Sequence, residues 1–166
     1  MPAIETVLAG KRFVSSGVKF SEDTNPPTPH KHEMLIYSDD AVLLESLTHF
    51  IAGSLTATNA AIVLATKSHR EALAQRLKER GFDVDSAIQQ GTLILLDAAE
   101  MLSRIMVNGV SDRTLFFDGL SGLIESAAKA AKTEHPRVAI FGECCGLLYA
   151  EGNMGAESAW KKPATN

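Results

Sequence analysis

The side chains best suited to chemistry stand just after short apolar runs. AAIVLA at 60–65 breaks into TKSHR, TLILLD at 92–97 stops at a carboxylate, RVAIFG at 137–142 leads to Glu143, Cys144 and Cys145, and MLIYS at 34–38 runs into Asp39 and Asp40. An imidazole next to a guanidinium, His69 and Arg70, can donate to an anionic or carbonyl ligand. Glu143 follows a strand end and is expected to be partly buried at the centre of a sheet, where a carboxylate needs a partner or a raised pKa. Gly142 before it is expected to let the chain turn sharply. If the strands are parallel, these residues converge on one edge, outside the carboxyl ends of the strands, where ligand crevices form.

Each feature also has a plainer reading. Asp39 and Asp40 suit a helix N-terminus, and Asp97 is read first as a cap for the next helix and second as a hydrogen-bonding group of the crevice. His69 is either a ligand donor or an ordinary surface histidine, and Glu143 serves either in binding or in a structural network. Cys144 and Cys145 are read as small buried residues in preference to a soft metal or redox site, since no second cysteine pair exists and metal sites usually need three or four ligands. His30, His32 and Glu33 form an H-x-H-E cluster, but no further ligand accompanies it, so no metal is assigned. His49 and His135 are expected at the surface.

The turn SDDAV stands where a nucleotide-binding protein of this architecture carries its glycine-rich phosphate loop and lysine. It has neither, and two carboxylates there would repel a phosphate.

Positioning these groups requires alternating strands and helices. Val42, Leu43, Leu47, Phe50, Ile51 and Leu55 recur at helical spacing and predict one apolar face after the SDD turn. A second helix follows TKSHR, with Ala72, Leu73, Arg76 and Leu77 on one side and Gly81 as its stop, and a shorter one spans 83–90 before Gly91. After Asp97 come a short helix in AAEMLSRIMV, a turn at NGVSD and a long helix over 113–132. The pattern predicts an α/β fold, a three-layer sandwich around a mainly parallel sheet with right-handed crossovers. Residues 1–29, with SEDTNPPTP, read as a flexible N-terminal tail, and 156–166 as a short C-terminal one.

Composition narrows the function classes. The 166 residues, 45% apolar and 22% charged, suffice for one core. A net charge of −4 with scattered basic residues offers no footprint for nucleic acid. No apolar run approaches the ~20 residues of a membrane span, and no signal peptide opens the chain. With only two cysteines, adjacent in sequence, a disulfide framework is excluded and a cytoplasmic protein is expected.

Taken together, the stretch from His32 to Tyr37, the helix ending near Gly53, AAIVLATKSHREAL, the G-x-D-x-x-x-A-x-x-x-G-T spacing over 81–92, LDAAEML, and RVAIFGE with GLLYAEGN resemble the MEDS sensory domain of prokaryotic signalling proteins. The resemblance covers nearly all of 32–153 and sets the domain at 30–155. It implies a RecA/KaiC-like α/β fold without its phosphate loop, used as a non-catalytic sensor of a small molecule, with simple hydrocarbon derivatives as the ligand class. His32, Tyr37, Gly142 and Glu143 match the family's pattern and are carried over as pocket residues. With the edge residues they make the candidate ligand-binding set: His32, Tyr37, Asp39, His69, Arg70, Asp97, Gly142, Glu143 and Cys144, with no cofactor. Relatives usually continue into an output domain, whereas here GAESAWKKPATN follows. Output is therefore expected through a signalling partner, such as a histidine kinase or transcription regulator, or through a homo-oligomer. The alternatives are a ligand-free interaction or dimerisation module and a thiol-dependent enzyme using Cys144 or Cys145 activated by His69.

Overall fold

The computed structural model describes residues 13–15, 32–34, 39–144 and 147. Its contacts divide the chain into two units, Met1–Leu43 and Leu44–Asn166. In the first, strands β1 (Phe13–Ser15) and β2 (His32–Met34) pair antiparallel, with Val14 opposite Glu33. A strand thus lies within the segment read as a tail. Of the strand expected at 34–38, only Met34 falls among the described residues.

The second unit is built on a parallel sheet. Helix α1 (Asp40–Thr56), which belongs to this unit from Leu44 on, leads into β3 (Ala60–Ala65), then come α2 (Lys67–Glu79), α3 (Val84–Gln90), β4 (Leu93–Asp97), α4 (Ala98–Ile105), a ribbon of β5 (Met106–Val107) and β6 (Val110–Ser111), α5 (Arg113–Ala130) and β7 (Val138–Gly142). The strand order is β4-β3-β7, with both pairings parallel. β3 is the central one of the three described strands, with β7, which leads to Glu143, beside it.

β3 explains the layering. All six of its residues are buried, as its unbroken apolar run requires of a strand covered on both faces. Ala60, Ile62 and Leu64 face one cluster with Ala98, Leu102 and Ile105 of α4 and Ala127 of α5. Ala61, Val63 and Ala65 face the other, with Leu47 and Ile51 of α1, Leu73 and Leu77 of α2, and Val84 of α3. Burying Ile62, Val63 and Leu64 contributes about 1.5–3 kcal/mol each before entropy is counted. The chain runs from β3 to β4 over one face and returns across β3 to β7 over the other. A constant crossover hand requires that change of face when the direction reverses.

The helix boundaries follow local chemistry. Asp39 Oδ1 accepts from Ala41 N at 2.7 Å at the start of α1, Asp83 Oδ1 accepts from Ser86 N at 2.9 Å at the start of α3, and Gly81 and Gly91 take positive φ where α2 and α3 stop. Glu45 on α1 accepts from Arg76 and Arg80, fastening α1 to α2. The apolar face of α1 is narrower than its sequence predicts. Leu43, Leu47 and Ile51 are buried, whereas Val42 and Phe50 are exposed. Thr48 takes a buried place because its hydroxyl is satisfied internally, donating to Leu44 O at 2.6 Å. The segment expected as a turn at NGVSD is the β5–β6 hairpin, whose Asn108 and Gly109 both take positive φ, as a two-residue hairpin loop demands.

Candidate functional site

Strand register decides which side chains meet. Ala65 on β3 is level with Asp97 on β4, and Leu64 is level with Gly142 on β7. The residues that follow, Thr66 and Glu143, therefore leave the sheet side by side. Glu143 N continues the ladder by donating to Leu64 O at 2.9 Å, which turns its side chain over the start of α2.

There the Glu143 carboxylate is buried and held. Oε2 accepts from Thr66 N at 2.7 Å, and Oε1 pairs with His69 Nδ1. A carboxylate can only accept, so His69 Nδ1 carries the proton of this bond. Thr66 caps α2, its Oγ1 accepting from His69 N at 3.4 Å. The pair joins residues 74 apart in sequence, and a hydrogen bond to a charged group contributes about 1.5–3 kcal/mol in such a setting.

One residue along, Arg70 makes the second link. Its Nε donates to Ala65 O at 3.2 Å and a terminal nitrogen donates to Asp97 Oδ2 at 2.6 Å. Asp97 Oδ1 accepts from Glu100 N at 3.0 Å and so caps α4. That backbone hydrogen bond, aided by the positive charge of Arg70, holds the Asp97 carboxyl below its ordinary value of 3.8, against the opposing effect of desolvation. The first turn of α2 is thus fastened to the ends of both neighbouring strands, by His69 to β7 and by Arg70 to β4.

Ser68 Oγ lies 3.2 Å from Thr66 Oγ1, and Cys144 is buried in the apolar cluster with Ile62 and Leu64. No group of three or more His, Cys, Asp or Glu side chains suited to a metal occurs among the described residues.

A family profile sets this fold and edge in context: MEDS, the MEthanogen/methylotroph, DcmR Sensory domain, matches residues 31–155. The chain belongs to the MEDS family. Neither the curated proteins nor the solved structures give a match. A MEDS domain has a sensory role in signalling, and the family is a sensory one rather than a family of enzymes. No helix among the described residues of this MEDS domain is long and apolar enough to cross a membrane.

Of the residues singled out in the sequence, the structure brings together His69, Arg70, Asp97, Gly142 and Glu143. His69 is not the surface histidine of its plainer reading, since its side chain is only 12% exposed and is paired. Asp97 is the cap it was read as, with Arg70 added. Cys144 is buried in the apolar cluster, as its plainer reading has it. Gly142 does not owe its identity to a sharp turn, because its φ is not positive and an added Cβ would meet only Leu64 Cδ1, at 3.9 Å. Asp39 caps α1 in the first unit. His32 pairs with Ser15 in β2, while Tyr37, His30 and Cys145 lie outside the described residues. His49 and His135 are exposed. Thr66, one of the residues after β3 expected at the strand edge, is absent from the candidate ligand-binding set, yet its N–H and hydroxyl both serve the network. Its signal was available, as a threonine between an apolar strand and a helix is the pattern of an N-cap.

Proposed function

We propose that this MEDS domain is a non-catalytic, cytoplasmic sensor that binds a small molecule at the carboxyl edge of its sheet. One observation carries the reading: the first turn of α2 is held to both neighbouring strand ends by polar side chains, Glu143 with His69 and Asp97 with Arg70. A ligand that draws on these groups re-anchors α2, and it transmits a signal to the extent that it binds the two anchorings unequally. His69, Arg70, Asp97, Gly142 and Glu143 are assigned to that edge. The resemblance adds His32 and Tyr37, and Asp39 and Cys144 complete the candidate set.

The ligand class is a simple hydrocarbon derivative, and the output passes to a signalling partner such as a histidine kinase or transcription regulator, or through self-association. The domain is assigned to a RecA/KaiC-like lineage that has lost its phosphate loop. Support comes from the two-faced parallel sheet and from the sequence SDDAV leading into α1, which has neither glycine nor lysine. The thiol-enzyme reading is disfavoured by the burial of Cys144 among apolar groups, which limits its access to a substrate. An interaction module draws its support from Leu115 and Phe117, exposed on α5.

The test is a thermal-shift screen with small alcohols, amines, carboxylates and halogenated hydrocarbons. A ligand at 100 times its Kd stabilises the folded state by about 2.7 kcal/mol. A rise in Tm that Arg70→Gln diminishes supports the reading. No rise with any class, or a rise untouched by that substitution, removes it.

A further inference from the structure

A cleft of about 210 Å³ opens at the other end of the same strands, beside Asn59 before β3 and Thr92 before β4. Its apolar surface comes from Leu55, Phe82 and Ala87, and its polar lining includes Asn59, Gln90 and Lys132. The volume equals that of about seven liquid waters, below the ~300 Å³ at which drug-sized ligand sites begin. The cleft holds a small group, and anything larger would extend into solvent.

The lining chemistry narrows it further. Thr92 Oγ1 donates to Ala87 O at 3.2 Å, Gln90 Nε2 donates to Ser86 Oγ at 2.6 Å, and Asn59 Oδ1 accepts from Arg137 N at 3.0 Å. These groups are committed to the protein. The acidic side chain on the lining, Asp83, is exposed and caps α3, its Oδ1 accepting from Ser86 N, where the dipole of the helix N-terminus partly offsets its charge. The ammonium of Lys132 makes no ion pair among the described residues, although its backbone is fixed, with Lys132 N donating to Thr58 O at 3.1 Å. The side-chain nitrogen of Asn59 is a further donor with no acceptor among the described residues, its Oδ1 accepting from Arg137 N and Thr133 Oγ1. Apolar surface with uncommitted donors, one of them cationic, suits an anion carrying a compact apolar body.

We propose that this cleft binds a small monocarboxylate, with its carboxylate on Lys132 and Asn59 and its body on Leu55, Phe82 and Ala87. The site is separate from the strand-end site and does not depend on it. The test is an amide-resolved NMR titration of the full chain with benzoate, using benzyl alcohol and benzylamine as probes of the same shape. Benzoate is expected to give saturable shifts at Asn59, Phe82, Ala87 and Lys132, with a Kd on the order of 1 mM for so few atoms. Benzyl alcohol should bind more weakly and benzylamine not at all. Lys132→Gln, at an exposed position, should weaken benzoate about three- to fivefold, the worth of one exposed ion pair. The proposal is overturned if benzoate gives no saturable shift, if benzylamine binds as well, if Lys132→Gln changes nothing, or if the shifts fall at Thr66, His69 and Arg70 instead.

Discussion

Glu143→Ala removes two hydrogen-bond acceptors in one step. Thr66 N, 2.7 Å from Oε2, and His69 Nδ1, paired with Oε1, lose their carboxylate in a site where the two side chains are 6% and 12% exposed. An orphaned buried polar group costs about 1–3 kcal/mol. The two sum to about 2–6 kcal/mol, and water reaching part of the His69 ring lowers the expected net loss to about 2–4 kcal/mol. At about 2–4 °C per kcal/mol for a chain of this size, Tm falls on the order of 10 °C. Glu143→Gln keeps the shape and one acceptor for Thr66 N, so it should cost about half as much. Chemical denaturation of the single variants, of His69→Ala and of the double variant closes a cycle, with an expected coupling of about 1–3 kcal/mol. A loss of under about 0.5 kcal/mol for Glu143→Ala, the range of ordinary surface substitutions, would refute the reasoning. So would additivity with His69→Ala.

Asp97 makes stability depend on pH. Its folded pKa is depressed, chiefly by the hydrogen bond from Glu100 N, so its contribution is present above the unfolded value of 3.8 and is lost as pH falls through the folded value. The Tm gap between the wild type and Asp97→Asn should therefore be widest near neutrality and shrink in acid, and a gap constant with pH would contradict this. Gly91→Ala should cost about 1 kcal/mol: φ is +78° there, while the added Cβ would sit at an ordinary 3.5 Å from Ala130 Cβ. Equal stability by urea titration would mean that the strain argument fails. Cys144 should be alkylated far more slowly in the folded chain than in denaturant, read site by site by mass spectrometry, and comparable rates would expose a thiol that the packing buries.

What the sequence made legible tracks how local each signal is. The apolar run at β3, the capping residue Asp97, and the stops at Gly81 and Gly91 are all decided within a few residues, and each appears where its pattern puts it. The β5–β6 ribbon escaped because two-residue strands carry no periodicity, although Asn108-Gly109 is a strong hairpin signal on its own. Val42 and Phe50 are exposed because helical spacing admits a broader apolar face than the packing uses: Leu47 and Ile51, one i, i+4 step apart, are the buried residues of α1 in the cluster on this face of the sheet. At the candidate site the convergence of strand ends was legible from the parallel arrangement. The pairing was not: whether His69 reaches Glu143, and Arg70 reaches Asp97, depends on strand order and register, which no local pattern encodes.

The central claim is that the groups around Glu143 hold a ligand. Native mass spectrometry of the purified full chain, mild enough to retain bound molecules, tests it most directly when wild type and Glu143→Gln are compared. The account predicts a small molecule retained by the wild type and lost from the variant. A wild-type chain that carries nothing, or a variant that retains the same molecule equally, would contradict it.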